Sequence, residues 1–289
     1  MIKCSVVIPA FNSAETIGRT LAALLAATRV PDEIIVVDGY SSDKTVEIAE
    51  QFGALVILNE KRHVAAARQL GTINAKYDVV AFTDSDCIPE NDWLERIYNN
   101  FQQDSLLCGT GGKVVLSRPR NDIQHFSAQI FETIMQFPQE RLFVSEKKMQ
   151  GAFPGANCAF KRESIINAGG FRDFFSNHAE EIDLFWRLSD MGEKLLFDPE
   201  IVVEHLDYAD SIKRLIIANF NYGIAGTKLA KFHFGNQIDL KLYKVLLKSI
   251  FFAINPFSSN KSEIFRVIQI SSFITGKIYG SIRYKIINL

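Results

Sequence analysis

Four short apolar runs without polar alternation mark the first third of the chain: Val6-Val-Ile8, Ile34-Ile-Val-Val37, Ala54-Leu-Val-Ile-Leu58 and Val79-Val-Ala-Phe82. Stretches of helical character separate them, about 14–27, 43–52 and the Ala-rich 62–76. A strand buried on one face alternates apolar and polar residues, whereas one buried on both faces does not. Such strands separated by helices predict a mostly parallel sheet flanked by helices, an α/β fold. Asn12 or Ser13 is placed to cap the first helix and Asp43 the second. In open parallel sheets, ligands sit beyond the C-terminal ends of the strands. Pro9-Ala10-Phe11-Asn12, Asp38-Gly39 and Asp84-Ser85-Asp86 follow three strands, so they share one rim.

The pattern then loosens. A helix is expected from Asn91, and a strand over 106–116 interrupted by Gly109, Gly111 and Gly112. A helix over 121–137 follows. Residues 139–154 are the least regular part and a candidate mobile loop. Gly155-Ala-Asn-Cys-Ala-Phe160 is a strand of small residues, suited to close approach of a ligand to the backbone. A short helix over 161–168 ends at Gly169-Gly170. The helix after His178 carries Glu180, Glu181 and Asp183 in its first turn, where the helix dipole favours acids. His178 reads as its cap, and Trp186, flanked by Leu184 and Leu188, reads as core. Short strands over 195–197 and 201–203 lead to Glu204-His205.

Beyond residue 210 the character changes. Lys241, Lys244 and Lys248 fall on one helical face over 241–254, large apolar residues fill the other, and Asn255-Pro256 stops the run. Over 263–287, Arg266, Gln269, Gly276, Gly280 and Arg283 form a polar or small stripe. Lysines and Pro256 break the first stretch, and ten uncharged residues between Arg266 and Lys277 are too few for a span. Interfacial amphipathic helices fit better, with packing on protein the alternative. Gly276-x-x-x-Gly280 is too common a pattern to argue dimerisation.

Charge sharpens this division. The net charge of −1 hides 12 Lys/Arg against 2 Asp/Glu over 211–289, a balance of +10 set against −11 over 1–210. A basic, apolar tail behind an acidic domain suggests an anionic surface as partner. Cys4, Cys87, Cys108 and Cys158 are scattered, with neither zinc spacing nor a C-x-x-C pair, so reduced thiols are expected. The opening Met1-Ile-Lys-Cys-Ser-Val-Val-Ile-Pro9 reads as a strand and turn, not a signal peptide. No G-x-G-x-x-G follows the first strand and no G-x-x-x-x-G-K-[ST] occurs, which argues against dinucleotide dehydrogenases and P-loop enzymes.

The chemistry concentrates at Asp84-Ser85-Asp86. Two carboxylates at i, i+2 on extended backbone point to one side and repel unless a cation lies between them. Hard oxygen ligands suit Mg²⁺ or Mn²⁺ with a phosphorylated ligand. The plainer alternative is an acidic loop capping the next helix.

The ordered set Val6-Val-Ile-Pro-Ala-Phe-Asn12, Val36-Val-Asp38-Gly39 with Asp43, Ala67-Arg68, Asp84-Ser-Asp86, Gly169-Gly-Phe171, Glu180-Glu-Ile-Asp-Leu-Phe-Trp-Arg187 and His205 resembles glycosyltransferase family 2 over about residues 4–206. That resemblance implies the GT-A fold and inverting sugar transfer from a nucleoside diphosphate donor, UDP by default. It places Pro9, Ala10, Asn12, Asp38, Arg68, Asp84 and Ser85 around the nucleotide sugar, with Asp38 on the base, Arg68 at the nucleotide end and Asp84 near the ribose. It makes Asp86 a metal ligand, His205 a further metal or diphosphate contact, and Glu181 the general base. Many members carry Asp where this chain has Glu181, so Glu180 and Asp183 stand as alternates. The Q-x-x-R-W of processive synthases is missing, which favours single transfers.

The expected organisation is a catalytic domain over 1–210, with a nucleotide-sugar half over about 1–115 and an acceptor half over about 116–210. A basic amphipathic helical tail spans 211–289. The expected partners are a nucleoside-diphosphate sugar, a lipid-linked glycan or glycolipid and a membrane surface, with a homodimer open and no nucleic acid. The expected place is cytoplasmic, on the inner membrane face. A nucleotide-sugar binder without catalysis and a sugar nucleotidyltransferase are the alternatives, the latter lacking its Gly-rich basic loop after the first strand.

Overall fold

The computed structural model describes residues 2–144, 153–254 and 261–289. Residues 145–152, half of the irregular stretch at 139–154, and the Asn255-Pro256 stop lie outside the described residues. The chain divides into two compact units, 1–117 with 135–207, and 118–134 with 208–289. The segment expected as an acceptor half, 116–210, is thus shared between them.

The first unit is built on a nine-stranded sheet. Strands β1 (Cys4–Ala10), β2 (Glu33–Asp38), β3 (Leu55–Leu58) and β4 (Val79–Phe82) pair in parallel in the order β3-β2-β1-β4. β6 (Leu107–Leu116) and β9 (Lys194–His205) are parallel to each other, and the reversed β8 (Cys158–Lys161) joins them to β4. The three-residue strands β5 (Cys87–Pro89) and β7 (Leu142–Val144) pair antiparallel with β9. Neither carries a hydrophobic run long enough to announce itself, so sequence periodicity misses both. This mostly parallel sheet with flanking helices is the α/β architecture that the hydrophobic pattern predicts.

Helices α1 (Ile17–Leu25), α2 (Thr45–Gln51), α3 (Val64–Asn74), α4 (Trp93–Gln103), α6 (Arg162–Asn167) and α7 (Glu180–Asp190) belong to this unit. Ile17, Leu21 and Leu24 of α1 are buried at helical spacing, as are Trp93, Leu94, Ile97 and Phe101 of α4. Each such side chain contributes about 1.5–3 kcal/mol on leaving water. α3 lies unusually close to β1: a Cβ at Gly71 would stand 2.2 Å from Val7. Trp186 is core, as its spacing predicts.

The structure corrects several local expectations. α1 starts at a Thr16 cap, and Asn12 and Ser13 bond elsewhere. Ala179, not His178, is the cap residue of α7, in a left-handed conformation. The glycines of β6 do not break it, because the rings of Phe160 and Phe153 occupy the space beside Gly109 and Gly111. The segments at 195–197 and 201–203 are one strand, β9, whose register against β6 shifts after Gly111.

The second unit contains α5 (Asp122–Met135), α8 (Ile212–His233), α9 (Leu240–Ile254) and α10 (Lys261–Tyr284). α8 and α10 meet along a glycine seam. A Cβ at Gly276 would lie 2.0 Å from the Phe220 carbonyl oxygen, one at Gly223 2.1 Å from that of Phe273, and one at Gly280 2.9 Å from Thr227. The Gly276/Gly280 pair therefore serves packing within the chain. α9 leaves Leu247 67% and Phe251 62% exposed beside Lys241, Lys244 and Lys248. Among the described residues, no helix is long and apolar enough to cross a membrane.

Candidate functional site

The C-terminal ends of β1, β2 and β4 carry three loops that are stitched together. Ala10, at the end of β1, aligns with Asp38, at the end of β2. The Asn12 amide donates to Ser41 Oγ at 2.8 Å, and Asn12 Oδ1 accepts from the Ser42 amide at 2.8 Å. Asn12 adopts φ 48°, a left-handed conformation that Asn tolerates better than most residues. Ser13 Oγ lies 2.8 Å from Ser85 Oγ, which ties the first loop to the acidic turn. Asp38 is fully buried, and its carboxylate accepts from the Ser41 amide at 2.8 Å and from the Ser41 hydroxyl. The cap residue of α2 is Lys44 rather than the expected Asp43, which sits one residue earlier and takes the Thr45 amide at 3.0 Å. The Thr45 hydroxyl, ahead of backbone donors, holds Asp43 below its usual carboxylate range.

Asp84 and Asp86 converge, though not on extended backbone. Ser85 and Asp86 form a turn, and the Cys87 amide closes it on the Asp84 carbonyl at 3.1 Å. β5 then pairs Cys87 with His205 at the end of β9, and the Leu206 amide donates to the Asp86 carbonyl at 2.9 Å. Ligand atoms of Asp84, Asp86, Cys87 and His205 all lie within 4.8 Å of one another. His205 Nδ1 is buried without a hydrogen-bond partner, 3.8 Å from Asp86 Oδ2.

Burial pushes the Asp86 carboxyl up, His205 opposes this, and Asp84 adds to it. A buried carboxyl held above its usual range, beside an imidazole nitrogen with no hydrogen bond, fits a metal ion. Burial holds Cys87 as the neutral thiol, with Asp84 and Asp86 adding to the effect. The remaining donors, carboxylate oxygens and an imidazole nitrogen, suit Mn²⁺ or Mg²⁺ rather than a soft metal.

Arg68 is held between two carboxylates. Its side chain is 4% exposed, Nη2 donates to Asp84 Oδ1 at 2.9 Å, and Nη1 donates to Glu180 Oε1. Burial disfavours its charge, but Glu180, Asp84 and Glu181 outweigh this and raise its pKa. Gly155 leaves room for it: a Cβ there would stand 2.6 Å from both terminal nitrogens. The small-residue stretch at 155–160 thus makes room at Gly155 for a guanidinium.

The three acids of α7 separate by environment. Asp183 is fully buried and clamped by Arg187, at 2.8 Å, and Arg172, at 3.2 Å, which suits a structural anchor. Glu180 is 2% exposed and bound to Arg68. Burial first, then Glu181, pushes its pKa up to about 8, with Arg68 opposing. Glu181 is half-buried, and burial raises its pKa against the pull of Arg68. Of the three, Glu181 is the carboxylate that solvent reaches.

Asp38, Asp84, Asp86 and His205 therefore meet at one end of the sheet, and Arg68 connects Asp84 to α7. Sequence reasoning missed Cys87 as part of the acidic cluster and Ser13 as partner of Ser85. Cys87 directly follows Asp86, and a β-bridge to His205 was the missing information. Nothing in the spacing signals Ser13.

The comparisons agree with this geometry. The Glycosyl transferase family 2 profile matches residues 5–168. A pre-mycofactocin glycosyltransferase of Mycobacterium tuberculosis is 30% identical over 234 residues, 79% of this chain and 48% of that protein. The chain thus spans about half the length of that relative. A glucosyl-dolichyl phosphate glucuronosyltransferase of Haloferax volcanii is 24% identical over 77% of this chain and 75% of its own length. The mannosyltransferase PcManGT from Pyrobaculum calidifontis, solved with GDP-Man and Mn²⁺, superposes with a TM-score of 0.64 at 17% identity, covering 96% of this chain and 86% of that one. With the profile covering more than half of its length, the chain belongs to glycosyl transferase family 2.

Proposed function

We propose that this protein is an inverting, non-processive glycosyltransferase that moves one sugar from a nucleoside diphosphate donor to a hydroxyl of a glycan, lipid-linked by preference. The observation that carries this reading is the convergence of Asp84, Asp86 and His205 on one centre at the sheet's C-terminal rim. Asp86 and His205 would hold Mg²⁺ or Mn²⁺, which supplies Lewis-acid stabilisation for the departing diphosphate. Asp38 accepts from the nucleobase with acceptor capacity left on its oxygens, while Pro9, Ala10 and Asn12 line the nucleotide. Asp84 and Ser85 border the ribose.

Glu181 is the general base. A new bond forms between the acceptor oxygen and the anomeric carbon as the bond to the β-phosphate oxygen breaks. The electron pair leaves on the nucleoside diphosphate, and the hydroxyl proton passes to Glu181. UDP is the first base to test, and GDP is the second because of PcManGT. The lipid-linked acceptor draws support from the dolichyl phosphate relative and from the basic helices over 211–289, which suit the inner face of a membrane. No nucleic-acid role is proposed. A self-association role for Gly276 and Gly280 is set aside, since both pack on α8.

The test is a thermal-shift screen of nucleoside diphosphate sugars with and without Mn²⁺. One donor class should stabilise the wild type only with metal, and Asp86→Ala should lose that gain. Stabilisation without turnover would favour a binding protein, and pyrophosphate release would favour a nucleotidyltransferase.

A further inference from the structure

Arg68 belongs to α3, yet its guanidinium spans two other parts of the first unit. One nitrogen is on Asp84, in the acidic turn, and the other is on Glu180, at the first position of α7. Arg68 and Glu180 are 4% and 2% exposed, so that pair is shut off from solvent, whereas Asp84, 30% exposed, stays open to an incoming ligand. The Gly155 backbone closes the remaining side, leaving the guanidinium little room to slide.

Asp84 serves two masters. It pairs with Arg68, and a carboxylate oxygen of it also belongs to the cluster with Asp86 and His205. A cation taken up there competes with the guanidinium for the charge of Asp84. Glu180 has an answering vacancy: its Oε2 is buried without a hydrogen-bond partner. As the hold on Asp84 weakens, the Nη2 that bonded it has Oε2 as a second acceptor. The Arg68–Glu180 bond then becomes bidentate, the stronger and more directional form. Glu181 is the next residue along the helix, so its carboxylate is oriented by how firmly Glu180 is held.

We infer that Arg68 and Glu180 are positioning residues that transmit occupancy of the acidic turn to the first turn of α7. This rests on the metal reading of the turn but not on the identity of any sugar. It separates the two adjacent glutamates by role: Glu180 anchors and Glu181 reacts.

Hydrogen–deuterium exchange of the full chain, with MnCl₂ as the only addition, tests it without turnover. In the wild type, Mn²⁺ should slow exchange in peptides covering 83–87 and also in those covering 180–184. Glu180→Gln should keep the first effect within about twofold and lose the second. Arg68→Lys, which keeps the charge but offers no planar fork, is read in the same way if Glu180→Gln does not fold. A response at 180–184 that survives in the variant overturns the inference, as does a wild type in which Mn²⁺ protects 83–87 alone. Absence of protection at 83–87 in the wild type removes the metal reading itself and this inference with it.

Discussion

At the scale of single residues, environment sorts acids that look alike in sequence. Glu180, Glu181 and Asp183 crowd one helical turn, but Asp183 is clamped by two arginines and Glu180 is buried against a third. Only Glu181 keeps access. Replacing it by Gln should leave metal-dependent donor binding intact and lower turnover by roughly 10²–10⁴-fold, the usual scale for a lost general base. Burial raises the Glu181 pKa, and the base must be ionised to act. Falling pH therefore protonates it early, and the acid limb of kcat/KM should lie above the ordinary Glu value of about 4.3. Retained turnover in Glu181→Gln, or an acid limb at that ordinary value, would move the base elsewhere.

The residue scale is also where legibility varies most. Asp38, Asp84 and Asp86 stand at the ends of apolar runs, and the rule that ligands sit beyond strand C-termini places them together. The contact of Arg68 with Glu180 crosses 112 positions and depends on the space beside Gly155, so it has no local sequence signature.

At the scale of elements, the long strands and helices of 1–90 follow from hydrophobic periodicity alone, with ends shifted by a few residues. β5 and β7 do not, because three residues cannot display a period and their pairing is set by β9. Glycines show the same division. Gly276 is demanded by α8, whereas Gly226 on α8 has nothing within 4 Å of its missing Cβ. Gly276→Ala should therefore force the two helices apart and destabilise the second unit by about 1–3 kcal/mol. Gly226→Ala should be neutral or stabilising by up to about 1 kcal/mol, from helix propensity alone. Denaturant unfolding of both variants checks this, and equal effects would contradict the packing assigned to the seam.

At the scale of the whole molecule, charge and exposure join in the basic helices. α9 presents Leu247 and Phe251 to solvent alongside Lys241, Lys244 and Lys248. Each basic group near an anionic leaflet adds about 1 kcal/mol, so replacing the three lysines by Ala should weaken binding to phosphatidylglycerol vesicles by about 3 kcal/mol, on the order of 100-fold. Neutral phosphatidylcholine vesicles should bind both proteins weakly. Equal binding of the wild type and the triple variant to anionic vesicles would return these helices to a purely protein-packing role. The asymmetry of charge was readable in the chain, but the grouping of α5 with α8, α9 and α10 was not, since contacts between distant segments decide it.

The most direct measurement is release of nucleoside diphosphate from a panel of UDP- and GDP-sugars, with Mn²⁺ and then with the metal chelated, in wild type and Asp86→Asn. Release of the diphosphate from one donor, abolished by chelation and lowered at least a hundredfold in Asp86→Asn, is the expected result. Release that is indifferent to chelation and to the loss of the Asp86 carboxylate would contradict the account.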